Sequence, residues 1–266
     1  AQTVTVTAID DAIAEGAHSG SVASTVSSGD LVYAGFPVAP IAVSITDNDV
    51  PGITVTQSGG TTTVTEGGAT DSYTVVLTSQ PTNDVAIALS GTQVTPTPTP
   101  LTFTSGNWNI AQTVTVTAID DAIAEGAHSG SVASTVTSGD SNYNGFVVAP
   151  VSVSISDNDT AGVTITQTGT TDVTEGGATD SYTAVLTSQP TADVTITPST
   201  TGEVSISPAS RTFTSANWNV AQSFTVTATD DAIVEGAESA TITHTSASGD
   251  PNYQAATVAS VSAAIT

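Results

Sequence analysis

Carboxylate side chains recur at fixed positions along this chain, in clusters whose oxygens could bind a cation. In the central part of the chain they are Glu66 in VTEGG, Asp120, Asp121 and Glu125 in IDDAIAEG, and Asp157 and Asp159 in the run DND. The same motifs supply Glu175, Asp230, Asp231 and Glu235 farther along, and Asp10, Asp11, Glu15, Asp47 and Asp49 near the first residue. Calcium prefers six to eight oxygen ligands, whereas zinc and copper favour His or Cys. These residues therefore predict calcium sites.

The alternative for any single Asp is a solvated turn residue, since Asp and Asn favour turns. The clusters argue against that alternative as a group, because the chain has no Lys to offset them. Two like charges 4 Å apart repel by about 1 kcal/mol in bulk water and by more near a protein surface. Bound cations would remove this repulsion.

The charge balance excludes several functional classes. The chain of 266 residues has 25 acidic residues and one basic residue, Arg211, for a net charge of −24. Nucleic-acid binding and anionic membrane surfaces both need Lys and Arg, so neither is expected as a partner. No apolar run reaches the roughly 18 residues that a membrane helix needs, so membrane insertion is not expected either.

Catalysis has little support in the motifs. Without Cys the chain has no disulfide, thiolate nucleophile or Cys-ligated zinc, and it has no G-x-S-x-G motif. The carboxylates recur in each copy instead of forming one cleft, whereas substrate pockets tend to be single and more aromatic. We therefore predict that the protein is not an enzyme.

The chain is a tandem array with a period near 110 residues. The segment AQTVTVTAIDDAIAEGAHSGSVASTV begins at Ala1 and recurs unchanged at Ala111, and a diverged copy begins at Ala221. This period is the size of a whole β-sandwich domain. Cutting after each DND run predicts the back half of a repeat at 1–49, a complete repeat at 50–159 and a second repeat at 160–266 that lacks its closing run. We call these the half-repeat, the first repeat and the second repeat. The chain opens on Ala inside a repeat, which suggests a piece of a longer array.

Alternation of Val or Ile with Thr or Ser dominates the pattern, as in 113–117 and 151–155. A period of two is typical of strands with one buried face, and Gly, Pro, Asn and Asp separate the runs at the spacing of a sandwich. The sequence thus predicts an all-β chain of tandem immunoglobulin-like antiparallel β-sandwiches, with about seven strands per repeat. Pro96, Pro98 and Pro100 suit an edge strand or extended loop.

Six further residues have structural interpretations. Trp108 and Trp218 are expected to close one end of a core in each repeat. Asp140 and Asp250 are expected to cap turns. His128, like its counterpart His18, is expected at an exposed edge, although either could touch a metal.

The chain resembles the Calx-beta family of calcium-binding sandwiches at these residues. The features that carry the resemblance are the early Glu in VTEGG, the Val-Thr-Val strand that runs into Asp-Asp-x-Ile-x-Glu, and the closing Asp-Asn-Asp followed by Gly. The resemblance covers both repeats and the half-repeat. It implies Ca²⁺ as the bound ion, with the acidic residues named above as ligands and the main-chain carbonyl of Ile123 as a further ligand.

The chain also departs from the family pattern. The Calx-beta domains of sodium–calcium exchangers carry another acidic ligand before the strand that corresponds to LTFT. In this chain that stretch is rich in Thr and Pro. The closing run is Asp-Asn-Asp and not three Asp. Fewer ions or weaker binding should follow.

These observations favour a structural segment of a secreted or cell-surface protein, such as a rod, stalk or filament stiffened by calcium at domain ends. The long, nearly identical, Thr-rich repeats resemble those of bacterial surface arrays. The alternatives are an adhesive module for a glycan or protein partner and a calcium-sensing regulatory domain. The expected partners are neighbouring copies of the repeat, and residues 1–49 could also borrow their missing strands from another chain of a polymer.

Overall fold

The computed structural model describes residues 1–233 and 236–266, and nearly all of its regular structure is β. The alternating Val-Thr runs form strands because their apolar side chains point to one face, as at Val114 and Val116, which are both fully buried. Within the described residues, one helical turn at Ser58–Gly60 accompanies twenty strands. No described helix has the length and apolar character that crossing a membrane requires.

Contacts between Cα atoms divide the chain into two compact units. The first unit comprises Ala1–Val64, Gly68–Ile119 and Ser129–Ile155. The second unit comprises Thr65–Gly67, Asp120–His128 and Ser156–Thr266. The segments that carry the acidic residues of the first repeat therefore belong to the same unit as the second repeat.

The half-repeat forms only one antiparallel pair, β1 (His18–Val22) with β2 (Ile41–Ile45). Its apolar side chains lack the cover that their counterparts have in the first repeat. Val4 is 79 % exposed and Tyr33 is 59 % exposed, whereas the corresponding Val114 and Tyr143 are 0 % and 1 % exposed. The half-repeat thus presents half of a sandwich core.

The first repeat contains nine strands in two sheets. They are β3 (Ile53–Gln57), β4 (Thr62–Thr65), β5 (Asp71–Leu77), β6 (Val85–Thr92), β7 (Val94–Thr97), β8 (Leu101–Phe103), β9 (Gln112–Ala118), β10 (His128–Ser138) and β11 (Val151–Ser156). One sheet has the order β3-β5-β9-β7 and the other has the order β4-β11-β10-β6-β8. The Pro-rich stretch contributes β7 at the edge of its sheet, where a residue without an N–H is tolerated.

The second repeat has the same two sheets, β12-β14-β18-β16 and β13-β20-β19-β15-β17. Its strands are β12 (Val163–Gln167), β13 (Thr171–Val173), β14 (Asp180–Leu186), β15 (Val194–Ser199), β16 (Val204–Ser207), β17 (Arg211–Phe213), β18 (Gln222–Ala228), β19 (Glu238–Ser248) and β20 (Val261–Ile265). Most pairs are antiparallel, as predicted, but β13 pairs parallel with β20. Each repeat has nine strands and not about seven, because short strands also form at 62–65 and 94–97 and at their counterparts.

Each repeat has its own apolar core of Val, Ile, Leu, Phe and Tyr side chains. Trp108 packs partly buried against the core of the first repeat and Trp218 against that of the second, as expected. The two cores hold the strand ends in place, and the acidic motifs extend from those ends.

Candidate metal centre

The acidic loop of the first repeat, residues 119–127, connects β9 to β10 and begins with a side-chain-capped turn. The carboxylate of Asp121 accepts a hydrogen bond from the Ile123 N–H at 2.7 Å. Asp11 accepts from Ile13 at 2.8 Å in the half-repeat, and Asp231 accepts from Ile233 at 2.7 Å in the second repeat. All three copies therefore build the same local turn, as short Asp side chains do.

The closing DND run folds onto this acidic loop through Asp157. One oxygen of its carboxylate accepts from the Asp159 N–H at 2.7 Å and the other from the Gly126 N–H at 2.7 Å. Burial raises the pKa of Asp157, but the backbone N–H groups of Asp159 and Gly126 outweigh burial and leave the pKa below its usual value. Asp157 is therefore held as a carboxylate at the centre of the cluster.

Glu66 enters the cluster from the turn that follows β4. Its N–H donates to the Ser156 carbonyl at 3.0 Å, and Gly67 has a φ of 60°. A Cβ on Gly67 would lie only 2.9 Å from Asn158 Nδ2 and 3.2 Å from the Asp120 carboxylate, so glycine lets this turn approach the acidic loop. Glu66 is only 3 % exposed, and its Oε2 has no hydrogen-bond partner.

The charges of the cluster act on one another. Burial, followed by the charge of Asp157, raises the pKa of Glu66 above its usual value. Burial, followed by the charges of Asp157 and Asp120, likewise raises the pKa of Asp159. Both shifts show carboxylates that are destabilised as anions in the protein alone, and a bound cation would reverse that destabilisation.

Two groups of side chains in the first repeat could each hold a metal ion. In the first group Glu66, Asp157 and Asp159 each place a carboxylate oxygen within 4.8 Å of the others. The second group is Glu66, Glu125 and His128, within the same distance. Calcium binds oxygens at 2.3–2.6 Å, so ligands on opposite sides of one ion lie at most about 5 Å apart. The oxygen-only group fits calcium by its donor chemistry and its spacing.

Asp120 and Asp121 are not members of these two groups, although both carboxylates lie near enough to raise the pKa of Asp159. Asp120 accepts from Asn158 Nδ2 at 3.0 Å. Ile123 lies in the same loop, where its N–H is bound by Asp121. Asp120 and Asp121 thus lie close to the groups that the structure brings together, and Ile123 is connected to them through Asp121.

The half-repeat gathers its acidic residues around one cavity of about 60 Å³. Its lining includes Asp10, Asp11, Glu15, Asp47 and Asp49. The carboxylate of Asp47 accepts from the N–H groups of Glu15 and Gly16 at 2.6 and 2.7 Å, and Asp157 in the first repeat likewise accepts from the Gly126 N–H. The half-repeat has no counterpart of Glu66 within this chain, and no three-residue metal group forms there among the described residues.

The second repeat reproduces part of the arrangement. The Glu175 N–H donates to the Thr266 carbonyl at 3.2 Å, and a Cβ on Gly176 would lie 3.3 Å from the Asp230 carboxylate. Asp231 makes the loop turn described above. Glu235, the fourth expected ligand of this repeat, lies outside the described residues.

The structure corrects the expectation for His128. Its side chain is only 17 % exposed and lies between Glu66 and Glu125, not at an exposed edge. The strand β10 begins at His128, so its first side chain turns toward the cluster that β9 and the acidic loop build. The available signal was the spacing of His128 three residues after Glu125, in a loop already rich in ligands.

Sequence reasoning also missed the groups that bind the backbone of the acidic loop. Within the second unit, the Gln189 N–H donates to the Ala122 carbonyl at 2.6 Å, and Asn252 Nδ2 donates to the Ala124 carbonyl at 2.7 Å. The half-repeat is bound in the same way within the first unit, where Gln80 donates to Ala12 at 2.7 Å and Asn142 to Ala14 at 2.8 Å. The signal was the recurrence of SQPT and SGDxNY in both complete repeats.

Asp250 holds Asn252 and the SQPT loop in place, which confirms its expected role as a turn cap. Its carboxylate accepts from the N–H groups of Asn252 at 2.9 Å and Thr191 at 2.8 Å, and Asp140 makes the same pair of bonds in the first repeat. Burial raises the pKa of Asp250, but the backbone N–H groups of Thr191 and Asn252 outweigh it and lower the pKa below the usual value.

We expect Asp250→Asn to lower the free energy of unfolding of the second repeat by about 1–3 kcal/mol at pH 7, because a buried charged acceptor is lost. A carboxyl whose folded pKa is lowered stabilises the fold above its unfolded pKa, near 3.9, and loses that contribution as pH falls through the folded pKa. The difference in unfolding free energy between the two proteins should therefore shrink below about pH 4.

Urea unfolding at pH 7 and pH 3, followed by Trp218 fluorescence in a Trp108→Phe background, measures this difference in unfolding free energy. Asp30→Asn, at an exposed position, is the matched control. An equal difference at both pH values would contradict the assignment.

Comparisons with known proteins identify no family. No protein-family model matches the chain, and no curated protein matches it. Among solved structures, the CBD12 domain from CALX1.2 is similar at a TM-score of 0.35 and 13 % identity, over 80 % of this chain and 99 % of that one. The D0-D1 domain of intimin is similar at a TM-score of 0.27 and 15 % identity, over 80 % and 96 %.

The I-band fragment I67-I69 from titin has a TM-score of 0.24 at 11 % identity, over 81 % of this chain and 65 % of that one. None of these likenesses, with TM-scores below 0.5, bears on which residues bind a ligand. The strand order of the two complete repeats shows that the chain is built of immunoglobulin-like β-sandwiches.

Proposed function

We propose that this chain is a structural repeat segment of a secreted or cell-surface protein, part of a rod, stalk or filament that calcium stiffens between repeats. The observation that carries the proposal concerns the acidic loop of the first repeat. This loop holds candidate ligands on its side chains, and its backbone carbonyls at Ala122 and Ala124 accept hydrogen bonds from the second repeat. A cation that orders this loop would therefore also order the connection to the second repeat.

Electrostatics supports a cation at this place. Glu66, Asp157 and Asp159 bring three carboxylates within 4.8 Å of one another. The raised pKa values of Glu66 and Asp159 reflect burial and mutual repulsion. Calcium sites of extracellular modules bind with dissociation constants of about 10⁻⁴–10⁻³ M, so such sites fill outside cells and stay largely empty at the low calcium of a cytoplasm. Calcium would then stiffen the array only after export.

The proposed partners are neighbouring copies of the same repeat. The half-repeat supports this proposal, because it has an open groove of about 400 Å³ whose lining includes Val6, Ile9, Val22, Val43 and Ile45. In the first repeat the corresponding face is covered by strands of residues 53–103. A segment with that sequence, from a preceding repeat or from another chain, would complete the sandwich.

Pulsed electron resonance between two spin labels tests the stiffening directly. The chain has no Cys, so Thr113→Cys and Thr225→Cys introduce two unique labelling sites on exposed strand positions, one in each complete repeat. We expect saturating calcium to narrow the distribution of label-to-label distances relative to excess chelator, because the ion fixes the acidic loop that contacts the second repeat.

The matched control carries Glu66→Gln and Asp157→Asn in the labelled chain. This variant removes two ligands of the oxygen-only group and should show one distribution width with and without calcium. A second control, Asp71→Asn in the labelled chain, changes a carboxylate outside the cluster. Its label-to-label distances should respond to calcium as those of the parent do. If the parent distribution keeps its width in calcium, the stiffening role is wrong.

A further inference from the structure

His128 has an unusual hydrogen-bonding state for a histidine beside carboxylates. Its Nδ1 lies 2.9 Å from the Gly126 carbonyl oxygen. A carbonyl oxygen only accepts, so Nδ1 carries the proton and donates it. The other ring nitrogen, Nε2, is then free to present a lone pair. Donation of one ring N–H to a backbone carbonyl is the usual arrangement of a histidine that binds a metal through its other nitrogen.

The lone pair of Nε2 is directed into the acidic cluster. Nε2 lies 3.5 Å from Glu66 Oε1 and 3.5 Å from Glu125 Oε2, and it is buried without a hydrogen bond. Glu66 Oε2 is also buried without a partner. A lone pair facing two carboxylates is unfavourable unless a positive centre lies between them.

The distances from His128 Nε2 to the two carboxylates distinguish a metal ion from a proton as the positive centre. A charge-assisted N–H···O bond has a donor–acceptor distance near 2.7–2.9 Å, clearly shorter than 3.5 Å. Nitrogen and oxygen ligands bind zinc at 2.0–2.2 Å, which places neighbouring ligands of a tetrahedral site about 3.3–3.5 Å apart. The observed distances therefore match a first-row metal better than a shared proton.

We propose that Glu66, Glu125 and His128 form a mixed nitrogen–oxygen site for one first-row divalent transition metal of the zinc class. It lies beside the oxygen-only group of Glu66, Asp157 and Asp159, with Glu66 common to both. The site goes beyond the calcium-stiffened connection proposed above and does not require calcium, because its nitrogen donor selects a different class of metal.

The three copies of the repeat provide internal controls for this site. The second repeat has Glu238 at the position of His128, so its equivalent donors are oxygens alone. The half-repeat keeps the histidine geometry, with His18 Nδ1 3.0 Å from the Gly16 carbonyl and Nε2 3.5 Å from Glu15, but it has no counterpart of Glu66. We therefore expect one such metal per chain, in the first repeat.

Cobalt(II) is the probe that tests this site, since its visible absorption reports nitrogen–oxygen coordination. Titration of Co²⁺ into the chelator-treated full chain should saturate at one equivalent, and Zn²⁺ should displace it. His128→Glu, which reproduces the second repeat, should weaken cobalt binding by at least about 100-fold, beyond the roughly 10–100-fold cost of losing an outer partner. His128→Ala should weaken it similarly. His18→Ala should leave it unchanged.

The outcomes separate this site from the calcium proposal. Failure of Co²⁺ to produce saturable absorption, or binding that survives both His128 variants, overturns the mixed site and assigns any residual binding to surface carboxylates. Calcium-dependent narrowing of the label distances should persist in His128→Glu, whose side chain adds an oxygen ligand. If His128→Glu loses cobalt binding but keeps the calcium-dependent narrowing of the label-to-label distances, both proposals are supported. If the parent chain binds cobalt but calcium does not narrow its label-to-label distances, only the mixed site is supported.

Discussion

Calcium at about 10 mM is expected to raise the midpoint of thermal unfolding of this chain by roughly 10 °C over its midpoint in excess chelator. About 10 mM is a hundred times a dissociation constant near 10⁻⁴ M, and a ligand at that excess stabilises the folded state by about 2.7 kcal/mol per site. One kcal/mol corresponds to roughly 4 °C for a domain of about 100 residues. Differential scanning calorimetry of the full chain, with calcium, with magnesium and with chelator, measures the shift. Magnesium should give a smaller one, because it requires tighter octahedral geometry.

Glu66→Gln is expected to shift the unfolding midpoint in opposite directions in chelator and in calcium. In chelator the variant should unfold at a higher temperature than the parent, because it removes a buried carboxylate that the charge of Asp157 repels. In calcium it should unfold at a lower temperature than the parent, because it removes a ligand. For Asp71→Asn, which lies outside the cluster, the difference in midpoint from the parent should have the same sign in chelator and in calcium. If neither protein responds to calcium, the carboxylates are solvated turn residues, and the repeats depend on their apolar cores alone.

Tyr253→Phe is expected to lower the free energy of unfolding of the second repeat by about 2–4 kcal/mol. The phenol of Tyr253 donates to the Ser188 carbonyl at 2.7 Å and accepts from the Ser188 N–H at 3.1 Å and from Ser188 Oγ, 2.8 Å away. Both residues are buried. Removing the hydroxyl leaves a buried N–H and a buried carbonyl unpaired, at about 1–3 kcal/mol for each group.

Tyr253→Phe also removes a support of the contact with the acidic loop, because Ser188 directly precedes Gln189, whose N–H donates to the Ala122 carbonyl. Urea unfolding followed by Trp218 fluorescence in a Trp108→Phe background reports the second repeat. Tyr33→Phe is the matched control, since Tyr33 holds the same motif position in the half-repeat and is 59 % exposed. An equal and small loss in both variants would mean that the phenol contributes packing and not hydrogen bonding.

Local pattern was sufficient to predict the fold class. Strict alternation of Val and Thr, interrupted by Gly, Pro and Asp, predicts sandwich strands, and the structure has them. Pro96 was correctly expected at an edge, because proline cannot donate to a sheet. The parallel pairing of β13 with β20 could not be predicted, because it depends on how distant strands of one sheet meet and not on either strand's pattern.

The acidic residues of the candidate site were visible in the sequence, but their grouping was not. Glu66 is separated from Asp157 by most of a repeat, and only the folded turn at Gly67 brings them together. His128 is marked in the sequence by its spacing from Glu125, and Gln189 and Asn252 by the recurring SQPT and SGDxNY motifs. Those signals do not identify the neighbours, which approach from other strands and loops and decide what the three residues do.

Residues 1–26 and 111–136 separate the local effects of sequence from the effects of tertiary packing. The two segments are identical, and both form the capped turns at Asp11 and Asp121, because those hydrogen bonds join residues two apart. Only the second copy forms the strand β9, and its strand β10 runs for eleven residues where β1 has five. A strand needs partners on its edges and a covered apolar face. The neighbours β5 and β7 supply them to 112–118, and residues 1–7 have no such partners in this structure.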